Sequence, residues 1–122
     1  MNIVDKVLAF AAENGYKVFK VTDCDTFGYI VTPDDNVITV CKGTWGGVTF
    51  TLNYIPSKEH GQGCSCKDED IYRVPSLEEL KNLELAGIEF AKSLNAKLFN
   101  NSSQWYKQNY WQQKGMLKEV VA

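Results

Sequence analysis

The sequence predicts an α+β domain: a four-stranded antiparallel sheet, built as a meander, with an N-terminal helix and two C-terminal helices packed on one face. Apolar and polar side chains alternate strictly from Val48 to Tyr54, which indicates a strand with one buried and one solvated face. Three strands joined by short turns follow one another between Phe27 and Ile55, which favours an antiparallel sheet over a βαβ arrangement. The 122 residues are expected to form a single domain, 1–122.

The first half of the chain supplies one helix and the four strands. A stripe of apolar residues predicts a helix over residues 3–13, which Asn2 can cap and Gly15 can end. The strands are predicted over residues 16–22, 27–32, 37–42 and 48–55. In this register, four polar side chains share the face away from the helices, where they can meet water or a partner: Thr39, Thr49, Thr51 and Asn53.

The second half is less regular. Residues 56–75 are predicted to form a long loop, and loops of this length are commonly functional or held in place by something else. A capping box that begins at Ser76 predicts a second helix over residues 76–95, and the third helix is predicted over residues 102–115. Residues 116–121 form either the fraying end of a helix or an added strand.

The composition is that of a globular protein, and it argues against several classes. Hydrophobic residues make up 44% of the chain and charged residues 23%, which excludes widespread disorder. No segment approaches the roughly 20 apolar residues of a membrane helix, and the N-terminus lacks the basic start and apolar run of a signal peptide. We therefore expect a cytoplasmic protein with reduced thiols that does not contact a membrane.

The sequence carries no catalytic motif, so we expect that the protein is not an enzyme. His60 is the single histidine, and its nearest cysteines lie in the same loop, whereas catalytic pairs usually come from separate segments. The glycine-rich segment 43–47 lacks the Gly-Lys-Ser/Thr ending of a phosphate loop. Residues 23–26 are interpreted as a solvated turn, because Phe27 stands where the two-aspartate loop of haloacid-dehalogenase-type phosphatases needs Thr or Val.

Charge is distributed unevenly along the chain. Residues 1–91 hold eight Lys and Arg against fourteen Asp and Glu, a net charge of −6. Residues 92–122 hold five Lys against one Glu, a net charge of +4. Within the acidic part, Asp68, Glu69 and Asp70 form a run that is interpreted as a solvated loop tip, and that could equally contact a basic partner such as a nuclease.

A candidate metal site lies in the predicted loop. His60, Cys64 and Cys66 offer an imidazole and two thiolates, which suit zinc, and Cys24 or Cys41 would supply a fourth ligand. A structural zinc would explain how so long a loop stays ordered. The alternatives are a redox pair or disulfide, and unremarkable reduced cysteines.

The segment from Gln104 to Trp111 contains four aromatic residues. Trp105 and Trp111 are separated by about 240° around an ideal helix, so they cannot both face one core. Exposed Trp and Tyr anchor protein interfaces, and Trp105, Tyr106, Lys107, Tyr110 and Trp111 are therefore candidate partner-binding residues. Two alternatives remain: packing against the loop and the sheet edge, and stacking on single-stranded bases with help from the neighbouring lysines.

Two functions follow from these features. The first is a non-enzymatic, cytosolic protein-binding domain, an inhibitor or adaptor. Phage and mobile-element accessory proteins that act on host defence nucleases are of this kind. The second is a zinc-stabilised module that binds single-stranded nucleic acid through the basic, aromatic C-terminal segment. The oligomeric state is left open by the sequence.

Overall fold

The computed structural model describes residues 1–55, 63–66, 69–98 and 102–121. In chain order, its helices and strands are α1 Ile3–Glu13, β1 Lys17–Val21, β2 Phe27–Val31, β3 Val37–Lys42, β4 Val48–Ile55, β5 Gly63–Cys66, α2 Leu77–Ser93, β6 Lys97–Leu98, α3 Ser102–Gln108, α4 Tyr110–Gln113 and β7 Leu117–Val120. The α+β class and the antiparallel sheet are as the sequence predicts.

The prediction of four strands is wrong. Within the described residues, the sheet contains six strands in the order β5-β4-β3-β2-β1-β7, and each strand is antiparallel to its neighbours. The two-residue strand β6 pairs with the end of β4 in addition. The strands β1 to β4 form the predicted meander. Strand β5 arises within the predicted loop 56–75, and β7 resolves the open choice at residues 116–121 in favour of a strand.

One face of the sheet is covered by α1 and α2. The side chain of Asn2 accepts a hydrogen bond from the Asp5 amide at 2.8 Å, and Ser76 and Glu79 complete the predicted capping box. Helix α2 approaches β4 so closely that a Cβ on Gly87 would lie 2.6 Å from the Cβ of Leu52. The alternation of β4 therefore buries its apolar side chains under these helices, as predicted.

The opposite face has a core of its own, so the three helices are not packed on one face. Strands β1 and β2 direct Phe19 and Tyr29 to this second face, where both rings contact Trp105 of α3. The predicted third helix is also interrupted, because Asn109 ends α3 and caps α4 by accepting hydrogen bonds from two amides. The strands β1 and β2 carry large apolar residues on both faces, and each face needs its own cover.

The rest of this second face, on β3 and β4, carries small polar side chains. Four of them are the residues predicted from the register, and they are half-exposed: Thr39, Thr49, Thr51 and Asn53. The Thr39 hydroxyl lies 3.2 Å from the side-chain oxygen of Asn53. Among the described residues, no helix is long and apolar enough to cross a membrane.

A buried carboxylate joins α2 to the turn between β2 and β3. Glu84 is only 1% exposed. The Thr32 hydroxyl and the Asn36 side-chain amide, the latter at 2.9 Å, donate to one of its oxygens. The Lys81 ammonium lies 3.1 Å from the other oxygen and also pairs with Asp34. This network fixes the position of the turn relative to the helix.

Candidate functional site

The predicted aromatic residues lie in different environments. Trp105 is 0% exposed and forms the centre of the second core, with ring centroids 5.6 Å from Phe19 and 5.1 Å from Tyr29. Burial raises the pKa of Tyr29, and hydrogen bonding to Asn109 opposes that rise. Trp105 therefore packs in the protein interior, and its side chain is not accessible to a partner in this structure.

The other members of the segment lie nearer the surface. Tyr106 and Trp111 are half-buried, and Lys107 is exposed. Tyr110 is 58% exposed, and its ring packs edge-on against Trp111 at 5.0 Å. The ammonium of Lys114 lies 5.4 Å from the centroid of the Tyr110 ring, within the range of a cation–π interaction. Of the predicted binding aromatics, Tyr110 is the most accessible.

The predicted metal ligands are only partly covered by the structure. His60 lies outside the described residues, and Cys64 and Cys66 lie in β5 opposite Asn53 and Thr51. Cys24 and Cys41 are both half-exposed. Within the described ranges, no group of three or more His, Cys, Asp or Glu side chains is arranged to hold a metal ion. The zinc site stays a prediction.

The predicted acidic run is divided in the same way. Asp68 lies outside the described residues, and Glu69 is exposed. Asp70 is half-buried, and its carboxylate accepts a hydrogen bond from the backbone amide of Trp45 at 2.8 Å. The interpretation of Asp70 as part of a solvated tip is therefore wrong, since its side chain binds the turn between β3 and β4.

That turn presents the most exposed tryptophan among the described residues. Trp45 is 81% exposed at the end of the β3–β4 hairpin, and Tyr72 beside it is 64% exposed. The Tyr72 hydroxyl donates a hydrogen bond to the Trp45 carbonyl oxygen at 3.3 Å. We call these two residues, with the turn 43–47, the aromatic tip.

Glycines make room for the carboxylate that holds the aromatic tip. A Cβ on Gly43 would lie 2.3 Å from the Asp70 carboxyl carbon, and a Cβ on Gly47 would lie 2.7 Å from the Asp70 Cβ. Contacts this short essentially never occur, so a larger residue at either position would displace the Asp70 side chain from the turn. The Gly46 φ of +94° adds a left-handed position that also favours glycine.

The segment that carries Tyr72 is attached to the hairpin and to α2. Val48 and Ile71 exchange backbone hydrogen bonds of 2.8 and 2.9 Å. The Arg73 guanidinium forms a two-pronged ion pair with Glu79, at 2.7 and 2.6 Å. The Arg73 hydrogen bonds, with help from the Ser76 backbone amide, lower the pKa of Glu79 to about 2. Both aromatic side chains therefore project from a backbone that is fixed on several sides.

Sequence reasoning missed the aromatic tip, although a signal was present. A tryptophan inside a five-residue turn that is otherwise Gly, Thr and Gly has no strand or helix face on which to be buried. The partnership with Asp70 was not visible, because it joins residues 25 positions apart.

Comparison of the chain with protein-family models, with curated proteins and with solved structures found no match.

Proposed function

We propose that this chain is a non-enzymatic protein-binding domain whose contact surface includes the aromatic tip. The observation that carries the proposal is the 81% exposure of Trp45 on an anchored hairpin. Tryptophan and tyrosine are enriched among the residues that dominate binding energy in protein interfaces. Two such side chains side by side at the end of a sheet form a compact anchor for a partner.

The anchoring of the turn favours binding for an entropic reason. Ordering a loop upon association lowers affinity, because the lost freedom opposes the contacts that form. Here the Asp70 carboxylate and the Val48–Ile71 pair already hold the backbone around Trp45. Tyr72 is positioned by the same segment, and its hydroxyl contacts the Trp45 carbonyl. A partner that binds the aromatic tip would mainly need to order two side chains.

The net charge of the part of the chain that includes the aromatic tip favours a cationic partner surface. Glu69 is exposed beside Asp70, and residues 1–91 together carry a net charge of −6. Arg73 does not offset this charge freely, because it is paired with Glu79. A basic protein would be attracted to this acidic part of the chain over a longer range than a neutral one. An inhibitor or adaptor acting on a nucleic-acid enzyme, such as a host defence nuclease, fits this chemistry.

The test is affinity capture from the cytosol in which the protein is made. We compare the wild-type chain, Trp45→Ser, and Tyr110→Ser as a matched control that removes an exposed aromatic elsewhere. We expect a protein partner on the wild type and on Tyr110→Ser. For Trp45→Ser, affinity should fall about 30-fold or more, as for a hot-spot residue worth about 2 kcal/mol. Equal capture by all three chains, or capture of no partner, would contradict the proposal.

A second candidate function rests on Tyr110, whose exposed ring lies beside the Lys114 ammonium. Aromatic rings flanked by cations stack on single-stranded bases, so a zinc-stabilised nucleic-acid module is the alternative. This alternative predicts that the chain binds oligonucleotides and that the binding weakens steeply as the salt concentration is raised. Tyr110→Ser should abolish the binding, and Trp45→Ser should leave it unchanged. The same pair of variants therefore separates the two functions.

A further inference from the structure

The lateral edge formed by β7 offers a second surface, distinct from the aromatic tip. In the described part of the chain, β7 pairs with β1 on one side and with no strand on the other. Two strands, β1 and β2, separate it from the β3–β4 hairpin. An unpaired strand edge displays a row of amide and carbonyl groups that another strand can bind.

The register shows which β7 groups face outward. The Thr22 amide donates to the Met116 carbonyl oxygen at 2.8 Å, so this pair is hydrogen-bonded across β1 and β7. Hydrogen-bonded pairs alternate in an antiparallel ladder, and the next one towards the end of β7 joins Lys20 and Lys118. The amide and carbonyl groups of Leu117 and Glu119 therefore point away from β1, towards the open edge.

The charges on β7 disfavour pairing with a second copy of this chain. When the β7 edges of two copies pair in antiparallel fashion, the two sheets continue each other with the same face on the same side. Two β7 residues that lie opposite each other must therefore point their side chains to the same face of the sheet. The two registers with the most overlap then place Lys118 opposite Lys118, or Glu119 opposite Glu119. Like charges directly opposite each other destabilise strand pairing. The chain itself contains one such pair, Lys20 opposite Lys118, where Asp5 neutralises Lys20. A second copy is therefore the less favoured occupant.

The same two charges suit a different strand. Lys118 and Glu119 are both exposed, and they point to opposite faces because they are neighbours in a strand. A groove of about 600 Å³ lies along this edge, and Lys20, Asp23, Asp25 and Lys118 are among its lining residues. Lys20 is paired with Asp5, and Asp23 and Asp25 add negative charge, so the groove as a whole does not attract an anion. Lys118 can still pair directly with an acidic side chain opposite it on an added strand.

We propose that the β7 edge binds an extended segment of a partner protein as an added antiparallel strand. The segment carries an acidic residue opposite Lys118 and a basic residue opposite Glu119. Backbone hydrogen bonds to Leu117 and Glu119 give affinity, and the two charge pairs fix the register. The inference rests on the proposed function only in taking a protein as the partner, since the surface does not include Trp45.

The probe is a short synthetic peptide with blocked ends, in which Val-Lys-Glu-Val is flanked by threonines. In the antiparallel register its Glu faces Lys118 and its Lys faces Glu119. We titrate it into the isotope-labelled chain of 122 residues and follow backbone amides by NMR. We expect the Leu117 and Glu119 amide signals to shift and their hydrogen exchange to slow. A peptide with Glu and Lys exchanged should bind about tenfold more weakly.

Two variants test the edge itself. Glu119→Pro removes an outward amide without removing a hydrogen bond to β1, and proline is tolerated on edge strands, so the fold should persist while peptide binding is lost. Glu119→Gln keeps the amide and should lose only a few-fold in affinity. Trp45→Ser should bind the peptide like the wild type, so that this inference and the proposed function can fail separately.

Three results would overturn the inference. The first is that the peptide leaves the Leu117 and Glu119 amide signals unchanged, which would mean that Lys118 and Glu119 only prevent other strands from pairing with the edge. The charge-exchanged peptide could bind equally well, which would remove the charge selection. The chain alone could self-associate with slowed exchange at Leu117 and Glu119, which would make a second copy the occupant.

Discussion

Replacing Glu84 with leucine tests how far the buried carboxylate network stabilises the fold. The substitution keeps the side-chain size approximately constant and removes both acceptor oxygens. The Thr32 hydroxyl and the Asn36 amide then remain buried without that acceptor, whereas the half-exposed Lys81 can turn to water. Each unsatisfied buried donor costs about 1–3 kcal/mol, and breaking a buried charge network typically costs about 3–5 kcal/mol.

We therefore expect Glu84→Leu to lower the free energy of unfolding by about 3–5 kcal/mol, a large part of the 5–15 kcal/mol typical of a domain. The corresponding fall in Tm is about 12–20 °C. Urea and thermal unfolding monitored by circular dichroism measure both quantities. Glu89→Gln, an exposed carboxylate on the same helix, is the control and should change the free energy by no more than about 0.5 kcal/mol.

A double-mutant cycle with Thr32→Val tests whether the loss arises from the network. The two substitutions share a hydrogen bond, so their effects should fail to add by about 1 kcal/mol or more. A loss below about 1 kcal/mol for Glu84→Leu, or strict additivity in the cycle, would contradict a stabilising role for this network. A small loss would mean that the turn between β2 and β3 is held without the carboxylate. Additivity would mean that Thr32 stabilises the turn independently of Glu84, through the hydrogen bond that its hydroxyl accepts from the Asn36 amide.

Two further predictions concern the aromatic tip and its support. Arg73 lowers the pKa of Glu79 to about 2 from an ordinary 4.5, so the stabilisation from this pair is complete above pH 4.5 and is lost as the pH falls towards 2. The difference in unfolding free energy between wild type and Glu79→Gln, measured at each pH, should therefore shrink over that interval. A constant difference would contradict this prediction. Asp70→Ala should destabilise the chain by about 1 kcal/mol and speed hydrogen exchange at the Trp45 amide. Asp70→Asn keeps an acceptor oxygen and should have smaller effects on both quantities. Unchanged exchange in Asp70→Ala would show that the turn does not depend on this hydrogen bond.

The part of the fold that sequence reasoning predicted is the part with local signals. Helix α1 and strands β1 to β4 follow from caps, apolar periodicity and turn residues that lie within a few positions of one another. Strand β5 could not be predicted, because Gly63–Cys66 has only four residues and contains no β-branched or aromatic side chain. Strand β7 was ambiguous, since Leu117–Val120 fits one helical turn as well as a strand, and pairing with β1 decides between them.

The candidate site shows the same limit. The aromatic segment was noticed because four large rings occur within a few residues, but their exposure depends on contacts with distant strands. Trp105 is buried because Phe19 and Tyr29 lie on the second face of β1 and β2. Trp45 was overlooked because a single aromatic residue in a turn is not a pattern, and its anchor, Asp70, looked like a solvated acid. Sequence spacing identifies candidates, and tertiary contacts decide which of them are accessible.

The residues of the second face explain where the accessible surfaces lie. Strands β1 and β2 present large apolar rings there, and burying them requires α3 and α4 as cover. Strands β3 and β4 present threonine and asparagine on the same face, which water can solvate without cover. Helices therefore cover the part of this face that needs burial, and the first face is covered by α1 and α2. The end of the β3–β4 hairpin and the β7 edge lie outside this cover, and these are the two surfaces for which binding is proposed.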